Sequence, residues 1–104
     1  MAITQVSSSV LADTIAVGTP TATISSDANA TANTHHFIST AGVTLTLPTP
    51  TSGMKIFITV GNFTDTIIGR NGSTIVGDAS DLTINVANMS VGLIATSTTS
   101  WVFI

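Results

Sequence analysis

The chain has 104 residues, and only seven are charged: Lys55 and Arg70 against Asp13, Asp27, Asp65, Asp78 and Asp81. That is 7%, against about 25% in an ordinary soluble domain. A net charge of −3 with two basic side chains leaves little to neutralise a phosphate backbone, so the composition argues against nucleic acid as a partner. Disorder is disfavoured too, because disordered chains pair low hydrophobicity with high net charge, and 43% of this chain is hydrophobic.

This length predicts one domain. Without cysteine there is no disulfide framework and no thiolate metal site. The first twenty residues lack a basic segment and are broken by Ser7, Ser8, Ser9, Asp13 and Pro20, which is not the pattern of a secretory signal. No apolar run approaches the roughly 20 residues of a membrane-spanning helix. An apolar small domain with almost no surface charge is poorly protected against association, so a stable assembly is expected.

The residue choice favours strands throughout. There is no Glu and one Gln, while twenty Thr, twelve Ile and nine Val dominate; β-branched side chains lose rotamer freedom in a helix and fit a pleated surface. The expected fold is all-β: an antiparallel sandwich, jelly-roll-like or barrel-like module.

Taken in chain order, Val10-Leu11, Ile15-Ala16-Val17 and Thr21-Ala22-Thr23-Ile24 are candidate strands, whereas Ser25 to Asn33 has no apolar period and reads as a loop. A soft boundary near residue 33 separates residues 1–33, an N-terminal arm or first strands, from a compact β-module over 34–104. The arm is either exchanged with a neighbour or part of the same sandwich, and both options stay open. Val43-Thr44-Leu45-Thr46-Leu47 alternates strictly, and Pro48 and Pro50 then stop it before a turn at Gly53. Met54 to Val60 resumes with Met54, Ile56, Ile58 and Val60 on one face. Phe57 breaks the polar pattern of the other face, so that face is a candidate for being covered as well.

Thr66-Ile67-Ile68-Gly69 and Thr74-Ile75-Val76-Gly77 form a near-repeat around Arg70-Asn71-Gly72-Ser73. Asn-Gly between apolar runs predicts a type I′ hairpin, pairing Arg70 with Ser73 and Ile68 with Ile75. Two copies are too few for a solenoid. Leu82 to Val86, Val91 to Ala95 and Trp101 to Ile104 complete the strands. The expected core or interface residues are Leu45, Leu47, Ile56, Ile58, Ile84, Leu93, Trp101 and Phe103.

Chemical sites are sparse. The only histidines, His35 and His36, are adjacent, so in a strand they point to opposite faces. A nucleophilic triad has no other base to draw on, and no Gly-x-Ser-x-Gly elbow is present. His35 and His36 are weak metal candidates, needing a threefold axis to gather one ligand from each subunit. Asp65, Asp78 and Asp81 lie at turn signals, where short carboxylates bond the local backbone; Asp78-Ala79-Ser80-Asp81 lacks the ligand density of a calcium loop. The glycosylation sequons at Asn29, Asn62, Asn71 and Asn88 are expected by chance in so Ser/Thr-rich a chain. Trp101, Phe103 and Phe57 could stack on sugars, although alternate aromatics in a strand are more often core. No catalytic residues, cofactor or metal are assigned, and the chain reads as a non-enzyme.

The ordered pattern Gly42-Val43-Thr44-Leu45-Thr46-Leu47-Pro48, Gly53-x-x-Ile56-x-Ile58, Ile67-Ile68-Gly69-x-Asn71-Gly72-x-Thr74-Ile75-x-Gly77, Leu82-Thr83-Ile84-Asn85 and Trp101 resembles β-modules of tailed-bacteriophage virion proteins. Such modules occur in head decoration or cement proteins and at the ends of tail fibres and spikes. A short chain opening on its own Met1 favours the cement protein. The resemblance implies a homotrimer bound to the major capsid protein on the outer surface of the head, made in the host cytoplasm, with no catalysis and no nucleic-acid or membrane partner. Residues 1–33 are the segment expected to reach onto neighbours. The alternative is a tail-fibre, spike or receptor-binding module recognising a host surface glycan, which calls for an exposed aromatic beside Asp or Asn.

Overall fold

The computed structural model describes residues 19–104. Ten strands run through this region: β1 (Thr21–Ile24), β2 (Ala28–Asn29), β3 (Thr34–Ile38), β4 (Thr44–Thr46), β5 (Lys55–Val60), β6 (Thr66–Gly69), β7 (Thr74–Ile75), β8 (Leu82–Ile84), β9 (Ser90–Ala95) and β10 (Ser100–Phe103). The fold is all-β, as expected, and its strands form two sheets, one of six strands in the order β1-β3-β5-β9-β10-β7 and one of four in the order β2-β4-β6-β8.

The strand direction differs from the antiparallel expectation, because both sheets are mixed. β1 with β3, β3 with β5, β2 with β4, β4 with β6, and β7 with β10 are parallel; only β5 with β9, β9 with β10, and β6 with β8 are antiparallel. The cause is the winding. From β1 to β8 each strand lies in the other sheet from the one before it; for β1–β3, β3–β5, β2–β4 and β4–β6 the chain passes through the opposite sheet and returns running the same way, while β6–β8 follows the same alternation but returns antiparallel. A parallel pair needs a long crossover, and here the crossover is itself a strand of the facing sheet. Thr21 therefore lies beside His35 and Thr34 beside Ile56.

The core lies between the sheets. Ile38, Ile56, Ile58, Val60, Leu93, Ala95 and Trp101 project from the six-stranded sheet, and Leu45, Ile68 and Ile84 from the four-stranded one, all buried. Each buried side chain of this size contributes about 1.5–3 kcal/mol of transfer free energy. Ile24 and Ala30 belong to the same core, and β1 and β2 pair with β3 and β4. Residues 21–29 are thus part of the same two sheets. The candidate strands at Val10-Leu11 and Ile15-Ala16-Val17 lie outside the described residues.

The Asn-Gly turn forms, but it does not make the predicted hairpin. Asn71 and Gly72 have φ of +51° and +80°, and the Ser73 N–H donates to the Arg70 carbonyl at 3.1 Å, which is the turn that Asn-Gly favours. Beyond it the chain changes sheets: β6 lies in one and β7 in the other, so Ile68 and Ile75 are not partners. The two halves of the near-repeat are also unlike. A second tight turn follows at Val76-Gly77, closed by reciprocal bonds of 3.0 Å between Ile75 and Asp78. Val76, β-branched, is held at φ +52°, and its N–H donates to the Trp101 carbonyl at 2.8 Å.

Candidate functional site

The adjacent histidines are separated by the six-stranded sheet. His36 faces inward and is fully buried, with Nε2 accepting the Thr31 N–H at 2.9 Å and Nδ1 bonded to the Phe57 carbonyl at 3.0 Å. A backbone N–H can only donate and a carbonyl can only accept, so the neutral ring with its proton on Nδ1 is the form that satisfies both. Both nitrogens are committed to the backbone, which gives His36 a structural role and no position from which to ligate a metal.

His35 lies on the outer face. Its ring stacks on Phe37 with centroids 4.6 Å apart and planes 7° from parallel, and it tilts against Phe57 at 5.9 Å. His35 Nε2 is hydrogen-bonded to Thr59 Oγ1 at 2.7 Å, and that hydroxyl is in turn 2.7 Å from Ser90 Oγ. Cross-strand register explains the cluster: His35, Phe57 and Gly92 are consecutive neighbours across β3, β5 and β9, and Phe37, Thr59 and Ser90 form the next row. The stripe continues through Gly92. A Cβ there would lie 2.9 Å from Ile104 Cγ1 and 3.3 Å from Phe57, so glycine is what lets the Ile104 side chain fold across β9 towards Phe57. Ile94 and Val102, paired with each other, extend the same face. Its charged member is Lys55, at one end.

A second apolar surface lies where the sandwich opens. Phe103 shares the inward parity of Trp101 but is 51% exposed, because β7 runs beside Ser100 and Trp101 only and stops short of it. Phe103 lies outside the buried core, whereas Leu45, Leu47, Ile56, Ile58, Ile84, Leu93 and Trp101 are all within it. On one side of Phe103 lies a groove of about 260 Å³ bounded by Val76, Asp78, Ser80, Asp81 and Leu82. On the other side, Met89, Val91 and Ile104 line an apolar depression.

Two of the aspartates act as backbone partners, and a third, Asp65, accepts from the neighbouring Thr64 hydroxyl. Asp27 accepts the Thr44 N–H at 2.8 Å and Asp81 accepts the Arg70 N–H at 2.9 Å, while Asp65 occupies a left-handed position at φ +71°. The Arg70 guanidinium donates to the Ser73 carbonyl at 3.0 Å and braces the Asn71-Gly72 turn. Among the described residues, no three His, Asp or Glu side chains gather into a metal-binding group. No helix in this region is long and apolar enough to cross a membrane.

Of the outer-face residues, Phe57 carries a signal in the sequence, as an aromatic at an outward position. His35 and Phe37 carry little, because the inward positions of β3 include Thr34 and His36, and polar residues inside erase the alternation. No protein-family model and no curated protein matches the chain.

Proposed function

We propose that the protein is a non-catalytic structural component of a bacteriophage virion, a decoration or cement protein. In this reading it binds the major capsid protein on the outside of the head as a homotrimer, after synthesis in the host cytoplasm. The observation that supports it is the set of large apolar side chains left in water: Phe37, Val76, Val86, Met89, Phe103 and Ile104 are each at least 40% exposed on a chain with seven charges. Apolar surface of this kind marks sites of association. A cement protein needs one surface for its own copies and another for the shell, and the sheet face and the open sandwich end provide two. Buried apolar area contributes about 25 cal/mol per Å². Contacts repeated over several subunits then add as in any multivalent clamp.

The test is to add the purified protein to shells that lack it and to locate it by electron microscopy. Regular density on the head surface is the expected result. Density on the tail, or no bound protein, overturns the reading.

A second reading, recognition of a surface glycan, is favoured by one observation: exposed Phe103 stands beside Asp78, Ser80 and Asp81 in an open groove. An aromatic platform flanked by hydrogen-bond acceptors suits a sugar ring. Saturable binding on a glycan array that is lost in Phe103→Ser would replace the first reading with this one.

A further inference from the structure

We infer that buried His36 is an acid-sensitive latch: a second proton on its ring breaks its bond to Thr31 and releases β1, β2 and the segment that joins β2 to β3, while the rest of the sandwich stays closed. This goes beyond the proposed function and stands whether or not the decoration reading does.

The ring is fully buried, and its two nitrogens meet groups of opposite kind. Nδ1 donates to the Phe57 carbonyl at 3.0 Å, and Nε2 accepts the Thr31 N–H at 2.9 Å. The neutral ring satisfies both. A second proton has only Nε2 to go to, where it would point at the Thr31 N–H and set two donors against each other. An unpaired buried donor and an unpaired buried charge both oppose the closed arrangement. The charged and titratable groups of the surrounding elements give no relief. His35, on β3 itself, lies on the outer face and bonds Thr59. Lys55, at the start of β5, is exposed and is itself a cation. Asp27, next to β2, is exposed and accepts the Thr44 N–H. β1, β2, β4, β9 and residues 30–33 carry no titratable side chain.

The chain that covers the ring is held by little else. Ala22 of β1 lies beside His36, and β1 is paired to β3 alone, as β2 is to β4. The core residues of this segment are Ala22, Ile24, Ala28 and Ala30, so one large side chain is buried there, whereas β9 and β10 bury Leu93 and Trp101 completely. Local opening begins where the buried apolar contacts are fewest. On either side of Thr31, the Ala30 N–H donates to the Thr46 carbonyl and the Asn33 N–H to the Lys55 carbonyl. The bond at Thr31 is the one among them whose acceptor titrates. Opening lets water solvate the charged ring, so the open form binds one proton more than the closed form. The closed form is therefore favoured at neutral pH and lost as the pH falls.

The test is amide hydrogen exchange of the full chain, read by NMR, with each rate referred to that of an unfolded amide at the same pH. Ala30, Thr31 and Ser39, whose N–H donates to the Ile24 carbonyl of β1, report the latch. Leu47, bonded to the Gly69 carbonyl, and Ala95, bonded to the Met54 carbonyl, report the rest. With one proton taken up per opening, protection at the first three is expected to fall about tenfold per pH unit below about pH 6.5, where an ordinary imidazole titrates, and to hold at Leu47 and Ala95. His36→Gln removes the titrating ring and keeps a side-chain acceptor, and its profile is expected to be flat. His35→Gln is expected to keep the slope. Should His36→Gln fail to fold, the imidazole nitrogen shifts of the full chain decide: His36 is expected to gain its second proton in step with the loss of protection at Thr31. A flat profile in the full chain overturns the inference, as does an undiminished slope in His36→Gln, a flat profile in His35→Gln, or a protonated His36 with Thr31 still protected. Parallel loss at Leu47 and Ala95 also overturns it, because the transition is then global.

Discussion

The two sheets present opposite outer faces to water, although the same strand chemistry builds both. On the four-stranded sheet the outward positions are mostly threonine and asparagine, with Ile67 the apolar exception. On the six-stranded sheet the strands β3, β5, β9 and β10 carry two phenylalanines, a stacked histidine and three aliphatic side chains, with the hydroxyls of Thr59 and Ser90 turned to each other and to His35, while Lys55 and the edge threonines Thr21 and Thr23 bound this patch. A threonine face satisfies water without charge. An aromatic face leaves apolar area that only another surface can cover. Low charge alone therefore does not distinguish a solvated face from an interface; what distinguishes them is which side chains fill the outward rows and where their polar atoms are bonded.

The strongest way to break this comparison is from beneath. Ile56 and Ile58 lie under the aromatic face with no exposure, and Ile56→Ala or Ile58→Ala is expected to cost about 2–5 kcal/mol. Chemical denaturation should read that as a lower midpoint at unchanged slope. His36→Leu keeps the volume of a neighbouring buried position but orphans the Thr31 N–H and a bond to the Phe57 carbonyl. The expected loss is about 1–3 kcal/mol for each group left unpaired. The same substitution at half-buried His35, on the outer face, removes one bond, to Thr59, and is expected to cost about 0.5–1.5 kcal/mol, less than at His36. Equal losses at His35 and His36 would erase the distinction between the faces. The smallest expected effect is a gain: Val76→Asn places a residue tolerant of positive φ at +52° and should raise stability by about 1 kcal/mol, read as a higher thermal midpoint.

Much of the fold is legible in the residues. Alternation locates β4, β5 and β8 to within a residue or two, and it places Leu45, Ile56, Ile58 and Ile84 on the inward side where the structure has them. Direction and partner are not legible, because a period of two reports which face a side chain takes and is blind to which strand lies alongside. Asn71-Gly72 shows the same division. The local φ preference sets the turn, while the long-range packing of β7 against β10 decides that the chain leaves the sheet instead of doubling back. Ile24 and Ala30 close the core and the Pro20 carbonyl accepts the His35 N–H, so the described part of residues 1–33 supplies first strands that pack with the sheets that follow. A truncation meant to separate an arm from the fold has to stop before β1, because removing residues 1–33 would take β1 and β2 with it. Half of the outer-face site was visible at Phe57; the other half, His35 and Phe37, is concealed by the polar residues packed on the inner side of the same strand.

The chain has no cysteine, so a single introduced thiol reports its own position. If the outer face of the six-stranded sheet is covered in the assembly and that of the four-stranded sheet is not, maleimide labelling of Ser90→Cys and Thr83→Cys under native conditions separates the two faces. Both positions are exposed in the single chain. Ser90→Cys is expected to react at least tenfold more slowly than Thr83→Cys in the assembled protein and at the same rate once Phe37→Glu is added. Equal rates in the assembled protein would contradict it.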